Sequence, residues 1–139
     1  MSQAVFVDTS AWYALADAGD TYHAPAARLM RRLLDTPRTL VVSNHVVGET
    51  YTLLRVRLGP TVATEFLQRL RGSARTRRVF VPEPWELEAE DLLAKYADQD
   101  LSYVDATTFV VMHHLAIKEA LAFDHHFVVL GFVLIADFS

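Results

Sequence analysis

The chain has 139 residues, of which 52% are apolar and 22% charged, with five Gly, five Pro and no Cys. Such a length suits one domain, residues 1–139, and the hydrophobicity excludes disorder and low-complexity structure. The lack of cysteine excludes disulfide scaffolds, thiolate-held zinc and thiol catalysis. No basic leader opens the sequence. Its longest apolar run, residues 127–136, falls short of the ~18 residues a spanning helix needs. The expectation is a soluble, cytoplasmic protein with no membrane partner.

The net charge of −4 is unevenly spread. Residues 21–80 hold all eleven arginines against three acids, Asp35, Glu49 and Glu65, a local balance of +8. The remainder holds two lysines against fourteen acids, a balance of −12. A basic surface beside an acidic site or partner accounts for this asymmetry, although solvated helix faces produce the same pattern.

In chain order, an apolar strand over residues 4–7 ends at Asp8, and a helix follows from Ser10. Asp17-Ala18-Gly19-Asp20 stops that helix. Residues 23–34 carry leucines at helical spacing and are closed by Pro37. A second strand, residues 40–42, meets an N-cap at Ser43 or Asn44 and a helix running to Leu58. Gly59-Pro60 divides it from a helix over 61–70. A third strand is expected at 79–81, an acidic helix at 85–96, and an apolar helix from Ser102 to about Ile117. The fourth and fifth strands fall at 120–123 and 132–135. Short continuous apolar strands alternating with helices predict a parallel α/β sheet covered on both faces.

In such a sheet the strand C-termini and the following helix N-termini share one edge, where ligands bind. Asp8 and Asp124 end the first and fourth strands, Asp105 lies in the first turn after Ser102, and Glu49 is early in the helix after the second strand. Asp105 shares a helical stripe with Phe109, Met112 and Ala116, a face otherwise suited to the core. Each acid alone has an ordinary explanation: helix cap, capping box, turn former or ion-pair partner. Four at one edge, with no lysine or arginine at the strand–helix junctions, favour a divalent cation. Carboxylate oxygens favour Mg²⁺ or Mn²⁺.

The ordered set Val7-Asp8-Thr9-Ser10-Ala11, Glu49, Leu101-Ser102-Tyr103-Val104-Asp105-Ala106 and Ala122-Phe123-Asp124-His125-His126-Phe127, with Gly131-Phe132 behind it, resembles the PIN-domain ribonucleases. Within them it is most similar to the VapC-type toxins of prokaryotic toxin–antitoxin pairs. The resemblance covers nearly the whole chain. It implies a three-layer α/β/α fold around a parallel five-strand sheet, and metal-dependent endonucleolytic cleavage of single-stranded RNA. The family's acidic quartet maps onto Asp8, Glu49, Asp105 and Asp124, with Thr9 or Ser10 as the nearby hydroxyl. A homodimer and a cognate antitoxin are also implied.

Phosphodiester hydrolysis needs an activated water, charge neutralisation and a stabilised leaving oxygen, which one or two metal ions supply. Asp8 and Asp105 are the expected principal ligands, Asp124 completes the site, and Glu49 is a ligand or positions the water. Asp100 and His126 are further site neighbours. Arg55, Arg57, Arg69, Arg71, Arg75, Arg77 and Arg78 are candidates to hold the RNA backbone. Trp12, Tyr13, Tyr51 and Tyr103 are candidates to stack on bases, most of them expected in the core. His113 and His114 are about 100° apart on a helix and do not readily share one metal. The competing readings are a non-catalytic PIN-like module that binds RNA or protein, and a DNA-cleaving nuclease of similar fold.

Overall fold

A computed structural model describes residues 3–135. Strand β1 (Ala4–Val7) is followed by α1 (Thr9–Ala16) and α2 (His23–Leu34). Then come β2 (Thr39–Ser43), α3 (Asn44–Leu58), α4 (Pro60–Gly72) and β3 (Thr76–Val79). Helices α5 (Glu83–Lys95) and α6 (Tyr103–His114), strand β4 (Glu119–Leu121), helix α7 (His126–Val129) and strand β5 (Val133–Leu134) complete the described chain. The sheet order is β3-β2-β1-β4-β5, and every neighbouring pair is parallel.

Alternation along β1 divides the core into two layers. Val5 and Val7 face α1 and α2, where they meet Ala11, Leu29 and Leu33. Phe6 faces the other way, into a larger cluster with Val46 and Val47 of α3, Leu70 of α4, Phe109 and Met112 of α6, and Phe127 of α7. This is the three-layer α/β/α arrangement expected from the sequence. Among the described residues, no helix is long and apolar enough to cross a membrane.

The helix starts follow local chemistry. Ser43 caps α3 by accepting the Val46 N–H at 3.1 Å. Gly59, at φ 97°, turns the chain between α3 and α4, and Pro60 opens α4 where a missing N–H costs nothing.

Several boundaries differ from expectation. Strand β3 begins at Thr76, three residues before the expected 79–81, and takes in Arg77 and Arg78. It is an edge strand, and Arg77 projects to solvent from it. The N–H of Val81 bonds instead to the Asn44 side chain at 2.9 Å, which draws the chain out of the sheet. Strand β4 ends at Leu121 because the Phe123 N–H is taken by the Ser10 hydroxyl at 3.1 Å. Helix α6 stops at His114, short of Ile117, where Ala116 adopts a left-handed φ of 55°. The apolar run after Asp124 holds a short helix, α7, and then Gly131 at φ 90° turns the chain into β5. Ala136, the last residue of that run, lies outside the described residues.

One of the arginines assigned to RNA has a structural task. The Arg75 guanidinium donates to the carbonyls of Leu33, Leu34, Thr36 and Arg38. It thereby satisfies the end of α2 and the loop into β2, and a cation at a helix C-terminus also suits the helix dipole. Arg75→Ala is expected to lower unfolding stability by about 2 kcal/mol, because it leaves those carbonyls partly unpaired. Exposed Arg77→Ala is expected to change it by less than about 0.5 kcal/mol. Urea titration of both variants measures the difference.

Candidate active site

Parallel strands bring the C-termini of β1, β2 and β4 to one edge, and four elements deliver the acids there. Asp8 follows β1 and caps α1. Its Oδ2 accepts the Ser10 N–H at 3.3 Å and the Ser10 hydroxyl at 2.8 Å. The same Ser10 oxygen accepts the Phe123 N–H, so one hydroxyl fastens Asp8 to the segment that leads to Asp124.

Asp8 is only 5% exposed. Burial is the main cause that lifts its pKa from 3.8 to about 6. The Ser10 bonds oppose this, and the charges of Asp105 and Glu49 add to it. Those two carboxylates therefore stand near enough to Asp8 to repel it. Glu49 is half-buried on α3.

Asp105 does two things. Its N–H donates to the Ser102 hydroxyl at 3.0 Å, and its Oδ2 accepts the Ser102 N–H at 3.1 Å, which makes a complete capping box for α6. The ordinary explanation of this residue is thus correct, and it leaves Oδ1 free of the cap. Burial raises its pKa, the Asp124 charge raises it further, and the Ser102 bonds and His126 act in the opposite direction.

Asp124 accepts the His126 N–H at 2.9 Å, and its Oδ1 lies 3.0 Å from His126 Nδ1. That contact is not aligned as a hydrogen bond, so Nδ1 is buried with Asp124 beside it but no hydrogen-bond partner. Asp105, Asp124 and His126 each present a ligating atom within 4.8 Å of the other two. The structure therefore unites Asp105 and Asp124 most closely, and raises His126 from neighbour to member of the cluster. The sequence signal for His126 was its place two residues beyond Asp124.

The other candidates fall at different distances from this cluster. Thr9 is buried, with its hydroxyl unpartnered. Asp100 is exposed and makes no hydrogen bond or ion pair with the quartet. Arg55 and Arg57 lie in the last turn of α3, six and eight residues beyond Glu49, or about 9–12 Å along the helix axis. Arg57 sits over the Tyr13 ring, 5.1 Å from its centroid. Arg69 and Arg71 are in the last turn of α4. Of the aromatic candidates, Trp12 donates its indole N–H to the Val7 carbonyl and packs on Phe66, and Tyr13 is in the core. Tyr51 is half-buried on α3, and Tyr103 is exposed.

Among the described residues, no lysine or arginine is ion-paired with Asp8, Glu49, Asp105 or Asp124. Mutually repelling carboxylates and an orphaned imidazole nitrogen fit a divalent metal, which satisfies both at once.

Residues 5–133 match the PIN domain family. The chain belongs to it. This PIN domain is 41% identical over 129 residues to the 23S rRNA-specific endonuclease VapC20 of Mycobacterium tuberculosis, covering 93% of this chain and 95% of that protein. It is 29% identical over 133 residues to ribonuclease VapC26 of the same species, covering 88% and 89%. The crystal structure of M. tuberculosis VapC20, a sarcin–ricin loop cleaving toxin, superposes with a TM-score of 0.85 at 40% identity, covering 93% of this chain and 96% of that one. Within the PIN family the chain is of the VapC ribonuclease type.

The raised pKa of Asp8 has a thermodynamic consequence. Folded Asp8 binds its proton more tightly than the unfolded chain does, so stability falls as pH rises from about 4 through about 6. Above that range the metal-free protein carries a penalty of about 3 kcal/mol from this group. Asp8→Asn keeps an acceptor for Ser10 and removes the charge. It is expected to raise the melting temperature at pH 8 but not at pH 4, as measured by calorimetry in EDTA. Addition of Mg²⁺ or Mn²⁺ is expected to stabilise the wild type more at pH 8 than at pH 5.

Proposed function

We propose that this VapC-type PIN domain is a metal-dependent endoribonuclease that cuts an unpaired segment of 23S rRNA and acts as the toxin of a toxin–antitoxin pair. The observation that carries the reading is the convergence of Asp105, Asp124 and His126 within 4.8 Å beside buried Asp8. The relationship to VapC20 supports the substrate.

In this reading Asp105 and Asp124 hold Mg²⁺ or Mn²⁺, as one ion or two, with Asp8 and Glu49 completing the site. His126 is an added ligand or fixes Asp124. A bound ion there neutralises phosphate charge and makes water more acidic. The chain's own residues position the reaction. Ser10 holds the Asp8 carboxylate in place, the capping box sets Asp105 at the start of α6, and Glu49 orients the attacking water. Asp100 takes an outer place. Arg55, Arg57, Arg69, Arg71, Arg77 and Arg78 provide the basic surface for flanking phosphates, and Arg75 is left out because backbone carbonyls occupy it.

A protein partner also has a place to bind. Helices α1, α2 and α4 border a mainly apolar cleft of about 550 Å³, lined by Trp12, Leu15, Met30 and Phe66 among others, with Glu65 and Arg69 as its charged members. Its chemistry suits the apolar face of an antitoxin helix. Co-purification with the product of the adjoining reading frame tests the antitoxin, and light scattering of the purified chain tests the homodimer.

The deciding experiment is cleavage of a 23S rRNA loop fragment, an unrelated single-stranded RNA and a matched DNA, in Mg²⁺, Mn²⁺ and excess EDTA. Asp105→Asn and Asp124→Asn are expected to lower RNA cleavage by at least about 100-fold with the fold retained, and EDTA is expected to abolish it. Cleavage that persists in both variants removes the mechanism. An intact, metal-binding protein that cuts no RNA is a binding module, and preference for the DNA makes it a deoxyribonuclease.

A further inference from the structure

Two aromatic rings stand at the acidic edge without sharing in the carboxylate cluster. Tyr103 opens α6 two residues before Asp105 and is 39% exposed. Its hydroxyl donates to Glu90 Oε2 at 2.9 Å and lies 3.3 Å from Glu86 Oε2. The other oxygen of Glu86 is held by His45 Nε2. His45 is in the first turn of α3, four residues before Glu49, so both lie on one stripe of that helix. The two ring centroids are 5.9 Å apart, with their planes tilted by 51°.

This arrangement is unusual for a solvent-facing tyrosine. An exposed ring normally keeps its rotamer freedom, whereas here two glutamates of α5 fix the tyrosine and one of them also fixes the imidazole. Helices α3 and α6 each bring one ring and one acid of the quartet to the same edge. Restraint before a ligand arrives lowers the entropy lost on binding. The occupant follows from charge. Glu86 and Glu90 repel phosphate, which disfavours the sugar–phosphate backbone at this place and suits it to an uncharged, flat group.

We propose that Tyr103 and His45 form the seat for one unstacked nucleobase of the RNA, next to the phosphate cut at Asp105. Every base offers a π-face to such a seat, and stacking on aromatic side chains is a common way of holding single-stranded RNA. The proposal rests on the RNA-cleaving reading above and adds the residues that hold the substrate's base.

The test uses an RNA oligonucleotide spanning a cut mapped with the wild-type protein, and a second set carrying an abasic sugar on either side of that cut. Tyr103→Ala is expected to raise KM about 5- to 30-fold with kcat changed less than about twofold, and Tyr103→Phe, which keeps the ring, to stay within about threefold of wild type. On the RNA that lacks the seated base, wild type and Tyr103→Ala are expected to cleave with equal KM. His45→Ala provides a second variant, with a smaller rise in KM in the same direction. Unchanged KM in both alanine variants overturns the proposal. So does a loss of the same size on intact and abasic RNA, since that loss belongs to the fold and not to the base. Wild-type protein that cleaves no RNA overturns the nuclease reading itself, and this inference falls with it.

Discussion

The Ser10 hydroxyl is the joint on which the site depends. It donates to Asp8 and accepts from Phe123, so it joins the turn after β1 to the turn after β4. Those strands are neighbours in the sheet. The backbone bond from the Asp8 N–H to the Leu121 carbonyl, at 3.0 Å, ties the same two segments, and the hydroxyl adds a side-chain tie that opposes the repulsion between their carboxylates. The site is thus a compressed arrangement. Its acids are held together by backbone topology, one shared hydroxyl and a capping box, while burial and like charge push Asp8 and Asp105 toward protonation. Functional centres commonly retain unfavourable electrostatics of this kind, and the surrounding core compensates for them.

The core that compensates is built from ordinary parts. Strict alternation in β1 sends Val5 and Val7 to one layer and Phe6 to the other, and the flanking helices cover both. None of this packing selects a chemistry. The chemistry comes from what the same strands deliver at their ends, as in other open parallel sheets.

Much of this was legible in the sequence because the signals were local. Apolar runs marked the buried strands, Ser43 and Ser102 marked helix starts, and strand ends located Asp8 and Asp124. The parts that were not legible depend on partners distant along the chain. The early start of β3 is set by pairing with β2 and by Asn44, which removes Val81 from the sheet. The early end of β4 is set by Ser10, 113 residues away from Phe123 in sequence. Arg75 looked like its neighbours in a run of arginines, yet four carbonyls from the far side of β2 claim it. His126 is legible in sequence only as a neighbour of Asp124, and its meeting with Asp105 depends on the fold that brings another helix beside it. Short apolar stretches such as the one after Asp124 also read equally well as strand or helix, and only the turn at Gly131 divides them.

Asp105 gives one side chain two duties, and this limits how the site can vary. One carboxylate oxygen fastens the start of α6 while the other is left for the site. Any replacement whose side chain lacks an oxygen placed to accept the Ser102 N–H also loosens the first turn of a helix whose following residues, from Ala106 to Met112, are all buried. A drifting lineage cannot discard the charge at Asp105 by shortening this side chain without disturbing the core behind it. An amide keeps that accepting oxygen and gives up the charge, so asparagine, or the glutamine that capping boxes commonly carry, spares the helix. Inactive descendants of such a chain would therefore be expected to carry an amide at this position more often than a small apolar residue, and to keep the serine before it.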